Sequence, residues 1–163
     1  MKKFELVAEL SKEFFGRKLF RIRALISFGD VYTGDLGGWV ESEKNLDQSG
    51  NAWVSGNARV YGDARVYGNA RVYGDARVSG NAHWITIGPI GSENGFLSAF
   101  RQKDNTIMVR HDCFSGTIDE FESAVNNTHS DNQHGDIYRA LIPVIKLRLA
   151  EVEVEGEQGG GHA

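Results

Sequence analysis

Four arginines recur six residues apart, Arg59, Arg65, Arg71 and Arg77, and the first three are each followed two positions later by a tyrosine, Tyr61, Tyr67 and Tyr73. A guanidinium offers paired N–H donors to phosphate or carboxylate, and a phenol ring offers a face on which a base can stack. His83 takes the arginine position in the next repeat and completes a candidate ligand-binding set. The same residues would also serve as a plain solvated surface, with Arg, Asn, Asp and Tyr pairing among themselves. No G-x-x-x-x-G-K segment is present, so any phosphate site must be built from side chains. His83 is also the one histidine of the regular tract and therefore its candidate general base. For metal, the candidates are His111 and Cys113, whose i, i+2 spacing would put both on one face of a strand; His129 and His134 are scattered in a loop. Isolated loop histidines are common, and neither a metal nor a cofactor is expected.

These positions belong to an internal repeat. From Gly50 to Ile85 the chain reads GNAWVS, GNARVY, GDARVY, GNARVY, GDARVS and GNAHWI. Gly, Ala and Val alternate with Asn or Asp, Arg and Tyr, which is the pattern of a strand with one apolar and one polar face. A glycine in every sixth position is wasteful in a flat sheet. A chain that bends at each glycine and coils into a three-sided prism uses it better, with Ala and Val filling the narrow interior. Three hexads per coil stack residue i on i+18, about 4.8 Å above it. Arg59 then lies under Arg77, Trp53 under Arg71, Arg65 under His83, and Asn51 under Asn69.

The hexads resemble those of the left-handed β-helix found in hexapeptide-repeat proteins, a family that includes acyltransferases and γ-class carbonic anhydrases. The resemblance rests on an aliphatic residue every six positions with a small residue two before it. Phage and bacterial hexapeptide-repeat proteins of unassigned function also carry blocks similar to RIRAL…GDLGGW before the repeats and IGSENGFLSAFR…CFSGTIDEFE after them. The resemblance implies a mainly β protein: a left-handed parallel β-helix with an N-terminal β cap and a small C-terminal α+β appendage. It also implies assembly with copies of itself, a trimer being favoured, with clefts between subunits. The three histidines that a γ-class zinc site needs are not in the tract.

The flanks divide accordingly. Residues 1–49 read as a cap and an irregular first coil, with a strand over Lys18–Ser27 and with Val40 and Leu46 pointing inward. Residues 50–85 are the regular tract. Over 86–150, strands at Phe96–Arg101 and Thr106–His111 form a hairpin, and T-x-x-E at Thr117–Glu120 opens a helix. Ile118, Phe121 and Val125 share its inner face. A second helix carries Ile137, Tyr138, Leu141, Ile142, Ile145 and Leu149, with Pro143 expected to kink or break it. The acidic, glycine-rich stretch 151–163 is expected to be disordered.

Charge and composition narrow the function. The 163 residues carry a net charge of −4, yet the repeat tract holds four arginines against Asp63 and Asp75 and is locally basic. That balance speaks against general nucleic-acid binding and against binding to an anionic membrane. No apolar run reaches bilayer length, the N-terminus lacks a signal-peptide pattern, and a single cysteine suits a reducing compartment, so a cytoplasmic protein is expected. The function expected is non-enzymatic: an oligomer of phage type that holds a small anionic ligand, a nucleotide or a nucleotide immune signal, between subunits. Two alternatives stand beside it. One is an acyl-CoA-dependent acyltransferase with His83 as base; the other is a structural or protein-interaction module acting through the C-terminal helices.

Overall fold

The computed structural model describes residues 2–152. The chain divides into two compact units, the first ending at Asn81 and the second beginning at Ala82.

The first unit opens with an antiparallel hairpin of β1 (Phe4–Phe14) and β2 (Arg17–Ala24). Phe15 and Gly16 form its turn at φ 53° and 78°, the left-handed geometry that a two-residue hairpin turn requires. The other edge of β2 pairs with β3 (Leu36–Val40), again antiparallel. Beyond β3 the pairing becomes parallel: β3 with β5 (Arg59–Val60), and β5 with β7 (Arg77–Val78). The resulting five-stranded sheet has the order β1-β2-β3-β5-β7. A separate parallel pair joins β4 (Trp53–Val54) to β6 (Arg71–Val72), and a single parallel bridge links Leu46 to Val66.

The expected 18-residue register holds within the repeats, with Trp53 opposite Arg71 and Arg59 opposite Arg77. Its local cause is the glycine. The amides of Ala58, Ala64, Ala70 and Ala76 bond back to the carbonyls of Ser55, Tyr61, Tyr67 and Tyr73, closing a tight turn in each hexad. The residue after each of those carbonyls is Gly56, Gly62, Gly68 or Gly74, at φ 62° to 71°, where a side chain would be strained. Between turns the amides reach the next row: Trp53 N to Ala70 O, Ser55 N to Val72 O, Arg59 N to Ala76 O and Tyr61 N to Val78 O. Every alanine and valine from Ala52 to Val78 is at most 1% exposed, and Val40 and Leu46 are buried as expected.

The left-handed parallel β-helix, however, is not the fold. The protein is mainly β with several sheets and a short C-terminal helical part, and among the described residues no sheet closes on itself or runs as a solenoid. A turn in each of the four hexads from Gly56 to Ser79 leaves at most two consecutive residues extended there, and the 62–67 hexad contributes only the Val66 bridge. The longest sheet owes its size instead to the antiparallel hairpin β1–β2, onto which the short parallel strands are added.

Two polar side chains close backbone groups at the start of the repeats. Lys3 is 1% exposed, and its Nζ donates to the carbonyls of Ala52 (2.7 Å), Gly50 (3.3 Å) and Ser49 (3.4 Å) beneath the Phe28 ring. Asn45 is fully buried; its Oδ1 accepts from the amides of Glu41 and Ser42, while Nδ2 donates to the carbonyls of Gly62 and Ala64.

In the second unit four antiparallel strands, β8 (Trp84–Ile90), β9 (Gly95–Arg101), β10 (Ile107–His111) and β11 (Phe114–Thr117), follow the order β11-β10-β9-β8. Helix α1 (Ile118–Thr128) starts at the expected capping box: Thr117 Oγ1 accepts from Glu120 N at 3.2 Å and Glu120 Oε1 accepts from Thr117 N at 2.8 Å. Helix α2 (Gln133–Arg148) is capped by Asn132 and runs through Pro143 without a break. Pro143 is exposed, so the carbonyl that loses its intrahelical donor lies on the solvent side of the helix. Ile118, Phe121 and Val125 pack with Tyr138, Ile142 and Ile145 over Leu97, Ala99 and Val109 of the sheet. Of the tail expected to be disordered, residues 153–163 lie outside the described residues. Val152 is buried and bonded both ways to the side chain of Asn105, at 2.6 and 2.9 Å. Among the described residues no helix is long and apolar enough to cross a membrane.

Two stability measurements follow from this packing. Gly68 and Gly50 share a left-handed φ, but a Cβ at Gly68 would meet nothing within 4 Å, whereas one at Gly50 would stand 2.9 Å from the Gly68 carbonyl oxygen. Gly68→Ala should therefore cost about 1 kcal/mol of conformational strain in urea unfolding, and Gly50→Ala clearly more. Burial lowers the Lys3 pKa to about 8, against the field of Asp47 and with that of Arg71. Between about pH 8 and pH 10.5 the unfolded chain holds this proton and the folded chain has released it, so folding gains stability as pH rises through that window and is flat below it. The wild type should gain about 2–3 kcal/mol over that range relative to Lys3→Met, read as the change in their stability difference.

Candidate functional site

The repeat arginines do not converge on one place. Arg59 and Arg77 lie side by side on β5 and β7, yet they differ in what surrounds them. The Arg59 guanidinium sits over the Phe14 ring, 3.6 Å from its centroid, at the end of β1. Phe14 in turn meets Trp39 edge-on at 5.4 Å, and Arg21 lies over Trp39 at 5.5 Å, so two rings in contact are flanked by two cations. Arg77 is only 4% exposed and donates through Nη1 to the carbonyls of Ala76 (2.8 Å) and Asn57 (3.1 Å). An arginine position expected to face water is thus a buried bracket between neighbouring hexads.

Arg71 belongs to the other parallel pair. Its Nη1 meets Asp30 Oδ1 at 2.9 Å, and its guanidinium lies so close over Gly29 that a Cβ there would collide with Nη2. Opposite it on β4, Trp53 is buried edge-on against Phe28 at 5.4 Å.

Arg65 is different. Its side chain is 57% exposed, and its nearest carboxylate is Asp47 Oδ1 at 3.5 Å, an oxygen that also accepts from the Ser49 amide. The Arg65 amide is held by Asn81 Oδ1 at 2.9 Å, which fixes the backbone while leaving the guanidinium outside. Two residues on, Tyr67 is 50% exposed. Tyr61 is half-buried beneath Arg17, whose guanidinium is 5.3 Å from the ring centroid and also pairs with Glu41 at 2.8 Å. Tyr73 is half-buried. Asn51 and Asn69 meet through their side chains at 3.5 Å, as the 18-residue register required.

His83 belongs to the second unit, at the end of a short 3-10 turn over Asn81–His83. Burial pushes its imidazole below the ordinary histidine value; a hydrogen bond to the Glu151 backbone opposes this and the Arg101 charge adds to it. His111 is 4% exposed at the end of β10, with Nδ1 at 3.3 Å from Asp112 Oδ2 and 3.4 Å from the Tyr138 hydroxyl, and Nε2 at 3.3 Å from the Ile90 carbonyl. Cys113 is an exposed free thiol in the following turn. Among the described residues no three His, Cys, Asp or Glu side chains come together as a metal site. On α2 the large exposed apolar residues are Val144 and Leu147, one turn apart, while Ile118 and Phe121 of α1 are buried.

Sequence reasoning missed the aromatic side of the arginine row. Phe14 lies in a strand that the N-terminal sequence did not announce, and Trp39 reaches the row only through the β3–β5 pairing.

Four overlapping stretches, residues 52–68, 58–74, 64–80 and 70–83, match the family model described as the YdcK Beta solenoid repeat. The match suggests a repeat β-solenoid protein. It covers the repeat tract alone, well under half of the chain. No curated protein matches the sequence. The matched residues include all four arginines and all three tyrosines of the candidate set.

The different surroundings of the arginines can be measured. Arg77→Ala removes the bonds to the Ala76 and Asn57 carbonyls and leaves a buried gap, and should lower the unfolding free energy by about 2 kcal/mol. Arg65→Ala should stay within about 0.5 kcal/mol of the wild type in the same urea titration.

Proposed function

We propose that the protein is a non-enzymatic binding protein of phage type, holding a small anionic ligand, a nucleotide or nucleotide signal, against side chains of its repeats. Copies of the chain, three being the favoured number, complete the site between them. Sequestration of a host immune nucleotide is the purpose we assign to such a protein.

One observation carries the reading: Arg65 presents a mostly exposed guanidinium two residues before an exposed Tyr67. A phosphate would compete with Asp47, whose 3.5 Å contact is longer than a strong charge-assisted hydrogen bond. The neighbouring phenol supplies a stacking surface for a base. Arg59, Arg71 and Arg77 are engaged with Phe14, Asp30 and backbone carbonyls respectively, so the contact falls to Arg65 and Tyr67.

Calorimetric titration with mono-, di- and cyclic nucleotides tests the proposal. A nucleotide should bind, Arg65→Ala should weaken it about tenfold or more, and Tyr67→Ala should weaken it less. The absence of heat with every nucleotide would remove the reading. Coenzyme A belongs in the same series: heat with it alone, lost together with turnover in His83→Ala, would move the protein to the acyltransferase class. Sedimentation with and without ligand reads the number of copies.

A further inference from the structure

We propose that a cavity in the second unit binds the head of a small organic cation, an ammonium carried on a short apolar body, with Asp112 as its counter-charge. The cavity holds about 360 Å³ and lies between the β10–β11 turn and helices α1 and α2. That volume is at the small end of ligand pockets and suits a head group rather than a whole nucleotide.

Its walls are rings. Tyr138 stands at the centre, with centroids of His111, Phe121 and His129 at 5.3, 5.6 and 5.7 Å. Phe114 continues the wall from Phe121 at 5.4 Å. Each pair is inclined by 59° to 70°, so neighbouring rings meet edge against face or tilted rather than as a flat stack. Ring faces carry partial negative charge and attract cations, most strongly where water is excluded. Ala124 and Val125 of α1 supply an aliphatic surface for the body of the ligand.

The charge of the lining selects the ligand. Among the described residues that line the cavity there is no lysine or arginine, Asp112 is the one carboxylate, and His111 and His129 are the other titratable groups besides Cys113 and Tyr138. Asp112 sits at the turn with φ 53°, its side chain 29% exposed and 3.3 Å from His111 Nδ1. Its field reaches inward: the Tyr138 hydroxyl is held above its ordinary pKa by burial first and by the Asp112 charge second. An anion entering would meet the Asp112 carboxylate, with no guanidinium or ammonium among the described lining residues to offset the repulsion. A neutral apolar molecule would gain the aliphatic contacts but nothing from Asp112. Only a cation uses both features.

The test is a titration of the full chain with choline and with its uncharged carbon isostere, 3,3-dimethylbutan-1-ol, followed by amide NMR shifts. Choline should bind at least about tenfold more tightly than the isostere, with shifts centred on Ala124, Thr128 and the 112–114 turn. Asp112→Asn, at a partly exposed turn position, should keep the wild-type thermal midpoint to within a few degrees and lose about tenfold in choline affinity. Tyr138→Leu should lose choline binding as well; if that variant unfolds, Phe114→Leu at the half-buried wall replaces it. Equal affinity for the two probes, no choline shifts up to tens of millimolar, shifts centred elsewhere, or an unchanged affinity in Asp112→Asn would each overturn the proposal. The nucleotide reading concerns the first unit and is untouched by any of these outcomes.

Discussion

The first unit depends on one constraint: backbone amides of the first two hexads must find carbonyls in the row 17 residues ahead, around an interior with room only for alanine and valine. An amide buried without a partner costs more than a typical hydrogen bond contributes, so the register is not negotiable. Glycine at φ 62° to 71° keeps the turns in step, and the alanine two positions later closes each turn by bonding back to the residue before the glycine. The small interior side chains leave nothing to tolerate a slip, because shifting by one residue would send every valine outward and an arginine inward.

The same constraint explains why polar residues are recruited at the edge of the repeats. A row that begins has carbonyls with no preceding row to serve them. Lys3 answers with an ammonium shared among three carbonyls, and Gln48 ties the same strand in place by accepting from the amides of Lys3 and Phe4. Burying the lysine is unfavourable for its charge, which is why its pKa falls, but the alternative is a set of unsatisfied carbonyls over an apolar interior. The repeats end differently. Gly80 does not take the left-handed φ of its predecessors, and the chain winds into a 3-10 turn before β8. The hexad motif persists in the sequence up to that point, but its geometry has already stopped.

What could be read from the sequence divides along the same line. Register, buried alanines and valines, and the turn glycines were legible because each is a local consequence of a six-residue period. The capping box of α1 was legible for the same reason. The closed left-handed β-helix was not a local consequence: it required the short rows to unite, and they instead extend an antiparallel hairpin whose first strand was hidden. In Phe4–Phe14 the pairing register shifts between Leu6 and Ser11, which breaks the alternation by which a strand is recognised. β8 was hidden likewise, its alternation interrupted by Gly88 and Pro89. Once those strands are absent from the reading, all four arginines look alike. It takes Phe14 on Arg59, Asp30 on Arg71 and the carbonyls around Arg77 to show that only Arg65 keeps most of its side chain in solvent.

Charge then separates the two units by chemistry. The repeat tract is positive within a negative chain, so an anion is attracted only close to the guanidinium groups, within about a Debye length of roughly 8–10 Å. Beyond that distance the net charge of −4 works against it. A single Arg65 and a tyrosine are a weak site alone, and a second copy of the same face would double the donors without any change in sequence. The cavity of the second unit has the opposite logic: one carboxylate and a ring of aromatic walls need no partner copy, because the selectivity for a cation is complete within the chain. Each copy brings one mostly exposed guanidinium to the first kind of site, so donors are added by assembly rather than by the length of the repeat tract. The second kind of site relies on rings and a carboxylate that one chain places around the same cavity.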